Sequence, residues 1–265
     1  MISTFLVPLL ANFVLLDMSM SFASPLIITN QLLDCLPCTV KSKVLEQCEE
    51  VDLEFGSILS ERAHDFQYLY FPTTSFVSLI TTLGGDHPLE LGLIGNEGML
   101  GATMVLGVNT APSRAIVQGP GKALRISVNK MHRLLRDIPV LADALKHYLY
   151  VLVTQLTQNA ACVHFHKIEP RLARWLLMTQ DRAHQDQFHL THDFLANMLG
   201  VRRSGVTIAA GALQSRQLIH YSRGDITILD RSGLEVAACE CYEALLRDHA
   251  RLFPSRVPLM LPACC

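Results

Sequence analysis

The stretch Leu190-Thr-His-Asp-Phe-Leu-Ala-Asn-Met-Leu-Gly-Val-Arg-Arg-Ser-Gly-Val-Thr-Ile-Ala-Ala-Gly-Ala-Leu213 decides how this chain is read. Thr191 can cap a helix start and Asp193 suits its positive end, after which Phe194, Leu195, Met198 and Leu199 fall at helical spacing on one face. Gly200 can take the positive φ of a helix end, and Val201 opens a second amphipathic run through Val206, Ala209, Ala210 and Leu213. Small residues such as Ala196 let two helices cross closely at a steep angle, so the spacing predicts a helix-turn-helix. With the apolar positions inward, the second helix turns Arg202, Arg203, Ser204 and Thr207 outward near its N-terminus. Arginine pairs bidentately with guanine O6 and N7, and Ser or Thr bonds a phosphate or a base edge, so this face suits double-stranded DNA. Thr191 stands beside it at the start of the first helix. From Phe194 to Gly224 there are four Arg and no Asp or Glu, in a chain of formal net charge -2. The basic character is therefore confined to one segment, as expected where only part of a protein meets a polyanion.

Downstream, Leu218 to Asp230 reads as two alternating runs joined at Ser222 to Asp225, a β-hairpin wing with Arg223 at its tip. Arg216 and Arg223 are placed to hold phosphates without reading sequence. An ordinary helical hairpin in a bundle is the plain alternative for the two helices, and the wing argues against it.

Upstream, Pro139 to about His166 predicts a long helix with apolar residues at 141, 145, 148, 152, 156 and 163, close to a heptad stripe. Between two domains such a stripe suits a dimerisation seam that spaces two reading heads. A further helix starts at Pro170 and carries Leu172, Trp175, Leu176 and Thr179. From Val51 to Ser127 the period is two, in short runs ended by Pro72, Gly84-Gly-Asp86, Gly95 and Gly119-Pro-Gly121, which predicts a small antiparallel barrel or jelly roll. Gly121-Lys122 superficially suggests a phosphate loop, but Ile116 and Ala123 stand where that motif needs Gly and Ser or Thr. Leu26 to Glu50 reads as helical pieces, one starting at Pro37. Ser232-Gly-Leu-Glu235 reads as a capping box for a last helix through Tyr242 and Leu246. The fold class is α+β: an N-terminal antiparallel β-roll or jelly roll (26–137), a long central dimerisation helix (138–168) and a C-terminal winged helix-turn-helix (169–252). Residues 1–25 form an apolar extension and 253–265 a tail.

At 265 residues, half of them hydrophobic and 17% charged, the chain can bury two cores. The apolar run Phe5 to Leu16 is too short to span a bilayer as a helix, and no Lys or Arg precedes Lys41. It is read as an ill-fitting extension, either an over-long start with Met18 or Met20 as the true one or, as the lesser alternative, a signal peptide, in a protein of the cytoplasm with no membrane partner. Eight Cys in a chain this long form no dense disulfide framework. Cys239 and Cys241 are expected on opposite sides of a helix, and His164 and His166 on different faces, so neither pair is expected to hold a metal. Cys264-Cys265 reads as a tail without a role. No nucleophile and base stand at a recognisable spacing, and no nucleotide loop is present, so an enzyme is not expected.

The order of parts, with Tyr70-Phe-Pro-Thr73, Gly95-Asn-Glu-Gly-Met-Leu-Gly101, Glu169-Pro-Arg-Leu-Ala-Arg-Trp-Leu-Leu-Met178, Phe194 to Arg203 and Ala238-Cys-Glu-Cys-Tyr242, resembles the Crp/Fnr family of bacterial transcription regulators from about Leu26 to Leu252. The resemblance implies a homodimer on a roughly palindromic operator, contact with RNA polymerase and an effector domain of the cyclic-nucleotide-binding fold. Members that bind cyclic nucleotide hold ribose with a Gly-Glu and the phosphate with an Arg followed by Ser or Thr. The matching positions here are Glu97 with Gly98, and Ser113 with Arg114, the hydroxyl preceding the arginine. The alternative is a structural roll with Glu97 and Arg114 solvated or paired with each other. At the reading helix Ser204 stands where relatives with an Arg-Glu pair carry Glu, so a different operator is implied. Another branch ligates an iron-sulfur cluster with N-terminal cysteines and one more, for which Cys35, Cys38, Cys48 and Cys162 are the candidates in a redox-sensor reading. A rival of another class is an effector-binding signalling module whose winged domain contacts protein.

Overall fold

The structure is a computed structural model and describes residues 29–83 and 87–253. The apolar extension and Cys264-Cys265 lie outside the described residues. Two short helices, α1 (Gln31–Asp34) and α2 (Cys38–Leu45), precede seven strands: β1 (Glu49–Leu53), β2 (Ile58–Ser60), β3 (Tyr68–Pro72), β4 (Phe76–Leu83), β5 (His87–Ile94), β6 (Arg114–Gly119) and β7 (Gly121–Ser127). They pair antiparallel in two sheets, ordered β1-β7-β3 and β2-β6-β4-β5, around one apolar core. This is the expected β-roll. Helices α3 (Val128–Asp137) and α4 (Pro139–Phe165) follow, with Pro139 in the first turn of α4, where a missing N–H costs nothing.

The C-terminal part contains α5 (Ile168–Ala183), β8 (Gln187–His189), α6 (His192–Leu199), α7 (Arg203–Ser215), β9 (Ile219–Ser222), β10 (Asp225–Ile228), α8 (Arg231–Ala237) and α9 (Cys241–Leu252). Strands β8, β10 and β9 form the wing, in that order. Asp230 caps α8 by accepting the Gly233 N–H at 2.9 Å, so this helix starts ahead of the expected capping box and ends at Ala237. The expected single last helix is therefore two.

The second core joins the domains. Along β4 and β5 the pleat sends Val77 and Ile94 into the roll, while Phe76, Ile80 and Leu93 pack under α5 and the winged domain. A strand covered on both faces explains why neighbours in β4, Phe76 with Val77 and Leu79 with Ile80, are both apolar. Leu141, Leu145 and Tyr148 of α4, expected in a dimerisation seam, are instead buried in the roll core. Beyond Leu152 the inward row continues through polar residues: Gln155 donates to Leu93 O at 3.2 Å, Asn159 to Glu90 O at 3.1 Å, and Cys162 is fully buried. The expected stripe therefore splits, because Leu156 and Val163 lie on the outer face and are exposed. At the chain's end Phe253 is buried in the roll core. Among the described residues no helix is long and apolar enough to cross a membrane.

Candidate nucleic-acid interface

Thr191 caps α6, its hydroxyl accepting the Phe194 N–H at 3.2 Å. Gly200 ends α6 with φ +63, and a Cβ there would approach Leu89 to 2.7 Å, so both backbone and packing demand glycine. Val206, Ala209, Ala210 and Leu213 face the core along α7, which leaves Arg202, Arg203, Ser204 and Thr207 exposed around its N-terminal turns. Arg202 occupies the capping position without a side-chain cap, so the first backbone N–H groups lie beside two guanidinium groups. A helix N-terminus of this kind suits a phosphate.

The corner between α6 and α7 is held by a residue that sequence reasoning missed. His192 stacks on Tyr221 with ring centroids 4.1 Å apart, and its Nδ1 lies 3.0 Å from Thr207 Oγ1. Burial and the nearby Arg203 charge push the His192 pKa down, which favours the neutral ring. Arg203 Nε lies 3.5 Å from Asp193, both side chains exposed. Ile208 was also missed: it is 74% exposed on the outer face of α7. Its signal was its place off the 206, 209, 210, 213 row, and an outward apolar group suits a thymine methyl.

Arg223 is exposed at the β9–β10 turn, with φ +51, as the wing reading expects. Arg216 sits apart, at the C-terminal end of α7 and about 20 Å from Arg203 by helix rise, with Glu169 at 3.1 Å. A phosphate there would have to displace Glu169. The structure thus brings Thr191, Arg202, Arg203, Ser204 and Thr207 to one corner and leaves Arg216 outside it.

The effector candidates are placed differently. Glu97 is neither solvated nor paired with Arg114: its Oε1 accepts from Arg182 of α5 at 2.6 Å, and its Oε2 from the Gly95 N–H at 3.0 Å. Gly98 packs so tightly on Tyr148 of α4 that any side chain there would overlap the ring. Arg114 pairs with Glu61 at 2.8 Å, and Ser113 is buried. Glu97 lines a cavity of about 180 Å³ between the roll, α4, α5 and α9, whose lining includes neither Ser113 nor Arg114. Glu97 and Arg114 are thus each paired within the protein, with Arg182 and Glu61, and the cavity that Glu97 lines does not include Arg114.

The cysteine expectation is also corrected. Cys162 does not join Cys35 and Cys48, which pack against the roll core; it lies with Cys239 and Cys241. Cys239 and Cys241 do not diverge, because the helix is interrupted between Ala237 and Cys241 and both thiols meet Cys162 and His166. His166 converges on them, so that one ligand atom each of Cys162, His166, Cys239 and Cys241 lies within 4.8 Å of the others. The reading missed this because residues 77 positions apart meet there.

Residues 170–237 match the Crp-like helix-turn-helix domain family. No curated protein matches the chain in sequence. Among solved structures, a protein from Eubacterium rectale assigned to the Crp/Fnr transcriptional regulators is similar over 78% of this chain and 96% of its own, with TM-score 0.61 and 17% identity. The c-di-GMP-responsive global regulator CLP of Xanthomonas campestris is similar over 72% and 99%, with TM-score 0.60 and 17% identity. FixK2 of Bradyrhizobium japonicum is similar over 72% and 98%, with TM-score 0.59 and 14% identity. At these identities the likeness is one of fold. Residues 170–237 thus form a Crp-like helix-turn-helix domain, and the chain around them shares the fold of Crp/Fnr regulators.

Proposed function

We propose that the protein is a cytoplasmic, homodimeric, sequence-specific transcription regulator that binds a roughly palindromic operator and meets RNA polymerase there. The observation that carries the reading is the exposed N-terminal face of α7, where Arg202, Arg203, Ser204 and Thr207 surround an uncapped helix end. Arg203, Ser204, Thr207 and Ile208 would meet base edges, and Arg202 and Arg223 phosphates. The outer face of α4 supports the dimer. Leu149, Val153, Leu156, Ala160 and Val163 follow one another at spacings of four and three, and Val153, Leu156 and Val163 are exposed. That is the seam of a two-helix coiled coil, with a second copy as its natural cover. The cavity beside Glu97 and Arg182 touches both domains, so a small effector there would bias their relative orientation.

Selection of the full chain on random-sequence duplexes at two salt concentrations tests the reading. A two-fold symmetric motif with half-sites one helical turn apart supports it. Binding without sequence enrichment, or none at all, overturns it in favour of a winged domain that contacts protein.

A further inference from the structure

We propose that Cys162, His166, Cys239 and Cys241 form a tetrahedral site for one thiophilic divalent cation of the Zn²⁺ type, clamping the end of α4 to the turn between α8 and α9. This does not depend on the DNA-binding reading. Cys162 lies in the last turn of α4 and His166, four positions on, is the extended residue that ends it, while Cys239 and Cys241 flank the start of α9. The Cys162 and Cys239 sulfurs are 3.5 Å apart, and Cys241 Sγ is 3.4 Å from His166 Nδ1. A zinc tetrahedron with bonds of about 2.3 Å to sulfur and about 2.0 Å to nitrogen has edges of roughly 3.5–3.8 Å, so these contacts are already near that length. Four ligand atoms within 4.8 Å of one another enclose a single ion, whereas a cluster needs its thiolates spread around several irons. Three sulfurs and an imidazole make a closed structural donor set that is too soft for Mg²⁺ or Ca²⁺.

The surroundings point the same way. His166 Nε2 lies 3.1 Å from Glu240 Oε1, which turns Nδ1 toward the sulfurs, as a carboxylate does for a metal-bound imidazole. Gln158 donates to Cys241 Sγ at 3.0 Å. Two buried arginines flank the group, and among the described residues neither forms an ion pair. Arg171 donates to Leu199 O; Arg174 donates to Asn159 Oδ1 at 2.6 Å and leaves Nε and Nη1 without an acceptor there. Arg174 acts electrostatically on Cys162 and Cys239 as well as on Glu90. Three thiolates and one divalent cation leave one net negative charge, the counter-charge that such buried guanidinium groups require.

The test uses the full chain with Cys264→Ser and Cys265→Ser, so that tail thiols bind nothing, purified reduced and without oxygen. Elemental analysis is expected to find one zinc per chain. Co²⁺ added to the stripped protein is expected to give sulfur-to-cobalt charge transfer and the intense visible bands of tetrahedral coordination. Cys239→Ser with Cys241→Ser abolishes both signals, Cys48→Ser keeps both, and His166→Cys keeps the metal while shifting the charge-transfer band toward an all-sulfur site. The weak spectrum of octahedral Co²⁺ would overturn the proposal, as would sub-stoichiometric metal on reduced thiols, undiminished binding in the Cys239/Cys241 variant, or a Cys162–Cys239 disulfide in its place. If the double variant does not fold, the cobalt spectrum of the chain with all four ligands decides alone.

Discussion

The indole N–H of Trp175 on α5 donates to Glu90 Oε1 on β5 at 2.8 Å, joining the winged domain to the roll inside a buried interface. Burial pushes the Glu90 carboxyl up to about 7, and its hydrogen bonds with Ser78 and Trp175 offset only part of that effect. The folded chain therefore holds this proton more tightly than the unfolded chain, whose value is near 4.5. The contribution to stability is fully present below about pH 4.5 and is lost as pH rises through about 7, a change of about 3 kcal/mol. Urea unfolding of wild type and Glu90→Gln from about pH 4 to about pH 8 isolates it. The wild type is expected to lose stability relative to the variant as pH rises, and the opposite slope would refute the assignment. Trp175 is the only tryptophan in the chain, so its emission should titrate near pH 7 in wild type and be flat in the variant.

Glu97 and Arg182 form a second, largely buried link between the same two domains. Removing one partner leaves the other charge in a poorly solvated place, so Glu97→Ala is expected to cost about 3 kcal/mol. The Glu97→Ala/Arg182→Ala double variant should be less destabilised than the sum of the singles, measured as a denaturation cycle. A single cost below about 1 kcal/mol would mean that the pair behaves like one at the surface.

On DNA, Arg203 and Arg223 should separate by role. Arg203→Ala is expected to weaken the selected operator by about 1–3 kcal/mol and random duplex much less. Arg223→Ala is expected to weaken both alike and to lower the salt slope by about 1. Equal losses on operator and random DNA for Arg203→Ala would remove it from the base-reading set. Ile208→Ala should relax preference at one position of the site and leave salt dependence unchanged.

The outer face of α4 yields a further expectation. Leu156→Glu places a charge in the proposed seam, and sedimentation should show a monomer with unchanged helical content. A dimer that survives Leu156→Glu combined with Val153→Glu would place the seam elsewhere.

The winged helix-turn-helix is legible in the sequence because it is local: Thr191, Gly200 and the 206, 209, 210, 213 row act within a few residues of one another. The strands of the roll are legible for the same reason, through period two and glycine punctuation. The lower half of α4 is not. Its inward row passes from Leu152 to Gln155, Asn159 and Cys162, whose partners are backbone carbonyls on β5 and a thiol far along the chain. A hydrophobicity pattern cannot register such partners, so the core-facing Leu141, Leu145 and Tyr148 were joined in one stripe with Leu156 and Val163 of the outer face. Glu97 and Arg114 fail for the converse reason. Each matches a motif position, yet each is held by a distant partner, Arg182 or Glu61, that the motif does not contain.

Phe253, buried in the roll core, gives the molecule a mooring at the far end of its DNA-binding half. The near end is moored at His166 and Lys167, whose extended backbone separates α4 from α5. Were the packing of α5 on β4 and β5, with the Trp175–Glu90 and Glu97–Arg182 links, to part, a body still held at these two points would turn about the line through them, as a door turns on its hinges. Motion of this half would then tilt α7 while its distance from the roll stays nearly constant. Two such halves across a dimer would change the angle at which they face the groove more readily than the gap between them.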